Sequence, residues 1–160
     1  MNTAVSIDGT NIPGVIRERW PSVIGKGGLT GYLAIPEVFL RCQNRMKLNS
    51  TEMMVLNNVL LHRWSPDRNP FPSNNQIAKR MGISARTVQR ALERIQEKGL
   101  ITRKIMRIRD EKSGEYRSIR EIDIGPLVAR LQTYARDLGT YAAEVRNSTS
   151  GKKSDHRIAV

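Results

Sequence analysis

The chain has 160 residues, enough for one domain of ordinary size with flanking segments. Its 27 Lys and Arg against 15 Asp and Glu give a formal charge of +12 and a pI near 10.6. That excess opposes compaction and suits attraction to a polyanion, either nucleic acid or an acidic membrane surface. The single cysteine, Cys42, excludes an internal disulfide and a multi-cysteine zinc site.

Lone-cysteine usage fits a reducing cytoplasm. With no basic-then-apolar leader and no run of about 18 apolar residues, neither secretion nor a membrane span is expected. The protein is expected to be cytoplasmic.

Residues 1–48 read as an N-terminal arm. Two X-Pro breaks (Ile12-Pro13 and Trp20-Pro21) and the glycines of Gly25–Gly28 make residues 1–28 irregular. Leu29–Ile35 reads as a short strand and Pro36–Arg45 as a short helix with proline at its first position. At Asn49 the pattern sharpens. Ser50 is taken as an N-cap, with Glu52 in the first turn and Met53, Leu56, Val59 and Leu60 on one helical face up to about His62. Ser65–Pro72 holds three prolines and acts as the connector.

Ser73-Asn74-Asn75-Gln76 then has the spacing of a capping box. Ile77, Ala78 and Met81 form the apolar side of the helix it opens, and Gly82 allows a turn. Ser84 is the N-cap of the next helix. At about 100° per residue, Val88, Ala91, Leu92 and Ile95 lie on one side and Arg86, Gln89, Arg90 and Glu93 on the other. Arginines at the front of a helix oppose its dipole by about 0.3–1 kcal/mol each, a misplacement that makes sense where an anion docks.

A helix closed by a glycine turn and followed by an N-capped helix with Arg and Gln outward is a helix-turn-helix arrangement. In a major groove Arg86 and Gln89 would read bases and Arg90 would read or position. Ser84 and Thr87 at the helix mouth would contact phosphate, and Ser73 and Arg94 are placed with the same DNA-contacting set. Pro72–Lys104 resembles the winged helix-turn-helix of GntR-type bacterial regulators, and also helix-turn-helix domains of plasmid and phage replication proteins. The residues that carry the likeness are Ile77-Ala78, Gly82-Ile83-Ser84, Thr87-Val88-Gln89-Arg90, Leu92 and Gly99-Leu100-Ile101.

The resemblance makes the helix after Ser84 the recognition helix and Ile101–Ile124 the wing. GntR-type regulators often carry a large effector-binding domain. The residues after the wing are too few for one, so no small-molecule effector is expected.

The wing is a β-hairpin around the turn-forming Asp110-Glu111-Lys112-Ser113-Gly114. Ile105 and Met106 are adjacent, so one faces out or a bulge intervenes. Its surplus of positive charge puts Arg103, Lys104, Arg107, Lys112 and Arg117 among the DNA contacts, on phosphates or in the minor groove. The plainer alternative is a solvated hairpin guarded by charge against edge pairing.

Gly125-Pro126 ends the hairpin and starts a last helix to about Val145. Leu127, Leu131, Tyr134, Leu138 and Tyr141 follow an a/d heptad spacing, either a homodimer seam or a stripe covering the chain's own first helix or N-terminal segment. Asn147–Val160 reads as a disordered basic tail.

These readings divide the chain into 1–48, 49–125, 126–146 and 147–160. The expected fold is mainly α with a β-hairpin wing. The expected function is sequence-specific binding of double-stranded DNA as a small, nucleoid-associated transcriptional regulator. The alternative is a plasmid or phage replication-initiation or partition protein binding origin repeats. A winged helix used purely for protein contacts would not need Arg86, Gln89 and Arg90 outward. An enzyme would need a site that is absent: His62 and His156 form no pair, Cys42 has no partner, and Gly25–Gly31 lacks phosphate-loop spacing. No cofactor or metal is expected.

Overall fold

In the computed structural model, residues 13–20, 23, 32–63 and 67–152 are described. The chain divides into two units, Met1–Ile35 and Pro36–Val160. In the first, α1 (Gly14–Arg19) starts from Pro13, so part of the segment expected to be irregular is helical. Residues 32–35 are not a strand, and the expectation for residues 29–31 lies outside the described residues.

The second unit carries the fold. Helix α2 (Glu37–Arg41) starts after Pro36, which fixes its own φ without needing a backbone donor. Turns through residues 42–47 lead to α3 (Ser50–Leu60). Its cap is Asn49, not Ser50. The Asn49 side chain accepts the Glu52 N–H at 2.8 Å, and Glu52 Oε2 accepts the Asn49 N–H at 3.0 Å. With Ser50 as cap, the third helical residue would be Met53, which cannot return the bond.

Helices α4 (Asn74–Met81) and α5 (Ala85–Glu97) follow as expected. Gly82 ends α4 in the left-handed region at φ +66, and the Ile83 N–H returns to the Ala78 carbonyl. Gly99, at φ +70, closes α5 in the same way: its N–H bonds Gln96 and that of Leu100 bonds Ile95. Strands β1 (Thr102–Arg109) and β2 (Tyr116–Asp123) pair antiparallel in unbroken register from Thr102 opposite Asp123 to Arg109 opposite Tyr116. No bulge intervenes. Ile105 and Met106 are both exposed, because the hairpin reaches beyond the core, which holds only its base through Ile101, Ile122 and Ile124.

Around that base, α3 packs on α4 and α5, and α4 packs on α5. The buried set includes Met53, Val55, Leu56 and Val59 of α3, Ile77 and Ala78 of α4, and Val88, Ala91, Leu92 and Ile95 of α5. A part-buried ion pair ties the start of α3 to the end of α5. Glu52, 1% exposed, meets the Lys98 ammonium, which also donates to the Lys47 carbonyl at 2.7 Å. The carboxylate thus caps α3 and anchors the end of α5 at once.

The last helix, α6 (Gly125–Lys152), is 28 residues long and continues into the stretch expected to be a tail; residues 153–160 lie outside the described residues. It packs on α2. Leu127, Leu131 and Tyr134 are buried within the chain, so these three are not available to a dimer seam. The Arg45 guanidinium stacks 4.6 Å from the Tyr134 ring centre and bonds Asp137 at 3.1 Å. The apolar stripe therefore covers a piece of the supposed arm, and α2 belongs with the main unit rather than with residues before 49. Leu138 is half-buried, Tyr141 is 66% exposed, and the side chain of Val145 is outside the described residues.

Candidate nucleic-acid interface

Helix α5 buries one side so completely that its opposite side must face outward. Val88 and Ile95 are fully enclosed, while Arg86, Thr87, Gln89, Arg90 and Arg94 are exposed. The mouth of the helix is ordered by its cap: Ser84 Oγ accepts the Thr87 N–H at 3.1 Å and lies 2.8 Å from the Thr87 hydroxyl. The two hydroxyls expected to meet phosphate are thus paired with each other and set at the helix entrance. One turn on, Gln89 Nε2 donates to Glu93 Oε1 at 3.1 Å, which leaves its carbonyl oxygen and second amide hydrogen for a ligand.

Beside this face runs an open groove of about 1010 Å³. Arg86, Gln89, Arg90 and Glu93 form one wall, and Arg117, Ser118, Ile119 and Arg120 of β2 form the other. Phe71 and Pro72 and the first turn of α4, Ser73–Gln76, close one end. The capping box is present in full: Ser73 Oγ accepts the Gln76 N–H and Gln76 Oε1 accepts the Ser73 N–H, both at 3.1 Å. The Ile122 N–H donates to the Pro70 carbonyl at 2.8 Å, so the 70–72 segment lies along the outer edge of β2. In an antiparallel strand every second residue turns its N–H and C=O the same way, so Arg120 and Ser118 present theirs on the groove side.

The structure thus brings Ser73, Arg86, Gln89, Arg90 and Arg117 of the expected set to one groove. Ser84, Thr87 and Arg94 stay on α5 outside its lining. The first strand is disposed differently from expectation. Arg103 turns back to Gln96 at 2.8 Å, and Lys104 and Arg107 are exposed on β1, away from the lining. Lys112 sits in the hairpin tip, where Asp110 Oδ1 accepts the N–H groups of Lys112 and Ser113 at 2.9 and 3.1 Å. The N–H of Ser113 and then that of Lys112 hold the Asp110 carboxyl below its usual range.

Phe71, Asn74 and Asn75 line the groove with no DNA-contacting role expected of them, and Arg120, one of the hairpin's surplus positive charges, lines it too. The hairpin register would have shown Arg120 to be opposite Ile105 on the second strand, but not which strand borders α5.

Outside the groove lining, His62 just after α3 accepts a bond from Arg80 Nη1 at 2.8 Å. Burial, and secondarily the Arg80 charge, lowers its pKa. Among the described residues no group of three or more His, Cys, Asp or Glu could hold a metal, and no helix is long and apolar enough to cross a membrane.

Comparison with known proteins falls on the same unit. The family described as the DnaD N-terminal domain matches residues 35–136. That range runs from just before α2 to just past Tyr134, the last buried residue of α6 among those described. Among solved structures, the N-terminal domain of the DnaD protein from Geobacillus kaustophilus HTA426 aligns with a TM-score of 0.51 and 20% identity, over 71% of this chain and 88% of that one. At that identity the likeness carries the fold. No curated protein matches. The matched family is not that of the GntR-type regulators, while the winged-helix reading of Pro72–Lys104 stands.

Proposed function

Because the chain belongs to the family of DnaD N-terminal domains, which are winged-helix-like domains of replication initiation, we propose that it binds DNA in the initiation of replication rather than in the regulation of transcription. The observation that supports this most is the unobstructed groove in which Arg86, Gln89 and Arg90 of α5 face Arg117 and Arg120 of β2. In this reading the front of α5 enters the major groove. There Arg86 pairs with a guanine edge and Gln89 with an adenine, oriented by Glu93. Arg117 and Arg120 hold the phosphate backbone that rises between helix and wing.

A second copy, if it pairs through α6, has only the distal half from Leu138 onward, since the proximal half is spent on α2. Two paired copies would read half-sites about 34 Å apart or a multiple of it.

The test is a salt titration of binding to duplexes selected from a random pool. Log affinity should fall with log salt by about 0.9 per neutralised phosphate. Arg86→Ala should cost about 1–3 kcal/mol on the selected site and relax one base position, whereas Lys112→Ala should act on all sequences alike. Salt-independent binding, or equal sequence-blind losses for both variants, would remove the assignment. Mapping the selected motif to repeats at an origin, rather than to promoters, separates replication from transcription.

A further inference from the structure

The chain has two phenylalanines, and they have opposite fates. Phe39 is 0% exposed in the core, whereas Phe71 is 51% exposed at the end of the basic groove. Phe71 is not on a loose loop. It lies between Pro70 and Pro72, both buried. Each proline fixes its own φ and keeps the residue before it extended, so Asn69 and Phe71 have little backbone freedom. The Pro70 carbonyl is tied to the Ile122 N–H at 2.8 Å, Asn69 bonds Glu121, and Ser73 begins α4 directly after Pro72. A large apolar ring thus projects from a restrained backbone into a groove lined by Arg86, Arg90, Arg117 and Arg120, with half-exposed Ile119 extending its apolar surface.

A folded domain has little reason to stiffen an exposed aromatic in a cationic groove unless something flat and anionic covers it. Duplex DNA shows a protein its edges and backbone, because its base faces are stacked on each other. An unpaired strand offers base faces and phosphates together, and stacking one base on an aromatic ring contributes about 1–3 kcal/mol, largely whatever the base. The groove, at about 1010 Å³, is comparable with the roughly 300–1,000 Å³ of small-ligand pockets, room for the nucleotides of an unpaired strand.

Resting on the DNA-binding reading of the same groove, we propose that Phe71 is a stacking platform and that the groove takes a single DNA strand. One unpaired base lies on the Phe71 ring, and the flanking phosphates meet Arg117, Arg120 and the first-turn N–H groups of α4 at Asn74 and Asn75. The capping box uses the N–H of Gln76, so those two have no acceptor within the helix, and both residues line the groove. Because the backbone that carries the ring is already restrained by Pro70 and Pro72, less ordering entropy is lost on binding than from a free loop.

The experiment measures fluorescence anisotropy of the full chain with a labelled oligo-thymidine about 12 nucleotides long, an oligo-cytidine of the same length, and a hairpin duplex. Phe71→Ala should weaken both single strands by about 5- to 150-fold, far more than it weakens the duplex. Phe71→Trp should keep single-strand affinity and add an indole signal that is quenched on binding, over the unchanged signal of the other tryptophans.

Equal loss on strand and duplex would overturn the platform, as would loss confined to thymine-containing duplex, which would mean methyl contact instead. So would binding of an oligoglutamate peptide as tightly as the oligonucleotide, since charge alone would then suffice. Duplex binding with no single-strand binding refutes this inference and leaves the proposed function intact; no binding to either refutes both.

Discussion

Helices α5 and α6 are both amphipathic, yet they dispose of their apolar sides differently. In α5 every apolar residue of the stripe, from Val88 to Ile95, is enclosed, because α3 and α4 together cover its full length. In α6 the last enclosed side chain among the described residues is Tyr134. Leu127 to Tyr134 spans about 10 Å of helix axis, and the whole helix about 42 Å. Its partner α2 has five residues and the turns that follow it, too little to cover the remainder. An apolar stripe thus states a demand for cover, and the neighbour's length decides how much of it is met. The polar side behaves in the converse way: once α5 is sealed on one side, its arginines and Gln89 face outward, and Arg86, Gln89 and Arg90 line the groove.

The largest effect that sharpens this contrast is on stability. Leu92→Ala should destabilise by about 2–5 kcal/mol, because the site is enclosed and cannot collapse around the lost methyls. Leu138→Ala, on the half-buried part of α6, should cost less than about 1 kcal/mol. Denaturant melts of the two variants decide it, and similar losses would mean that the distal half of α6 is covered after all.

A smaller effect separates the polar surfaces. Replacing Arg117 and Arg120 together by alanine should lower the salt slope of DNA binding by about 2, close to one unit for each phosphate no longer neutralised. Replacing Arg136 and Arg146, exposed on α6, should leave the slope unchanged. If the α6 pair lowers it as much, positive charge acts without regard to place and the groove has no special role.

The smallest effect lies at the exposed contact where His62, just after α3, meets Arg80 of α4. Its folded pKa is lowered below the ordinary 6.5, so the folded state favours the neutral ring that accepts the Arg80 bond. The associated stability is fully present above the unfolded pKa and is lost as pH falls through the folded one. Thermal melts between about pH 7.5 and 5 should show the parent chain losing more than His62→Gln. Asp110, whose carboxyl is also lowered, loses its contribution only in the more acidic carboxylate range. Identical curves for parent and His62→Gln would show that the ring makes no difference to folding.

How legible these features were depended on whether their signal was local. The Ser73 box, the Gly82 turn and the Ser84 cap each involve residues within a few positions of one another, and the structure has all three. The α3 cap was equally local but ambiguous, since Asn49 and Ser50 can both cap. The spacing to Glu52 settles it, and was there to be used. The hairpin was readable as a hairpin, but a charge count could not say that Arg120 borders α5 while Arg103 turns back to Gln96. Phe71 carried no signal, since an aromatic between prolines reads equally well as core.

What the sequence determined alone was everything set by short-range sterics and periodicity. That covers where α4 and α5 start and stop, which side of α5 must be buried, and that a basic hairpin follows. Tertiary structure alone decided which strand of that hairpin lines the groove, that α2 rather than a second copy covers Leu127, Leu131 and Tyr134, and that Phe71 stands out while Phe39 is sealed. The reason is that a backbone pattern repeats every few residues and is written locally. What covers a surface depends on the reach of elements far away in the chain, and a stretch of sequence carries no record of that distance.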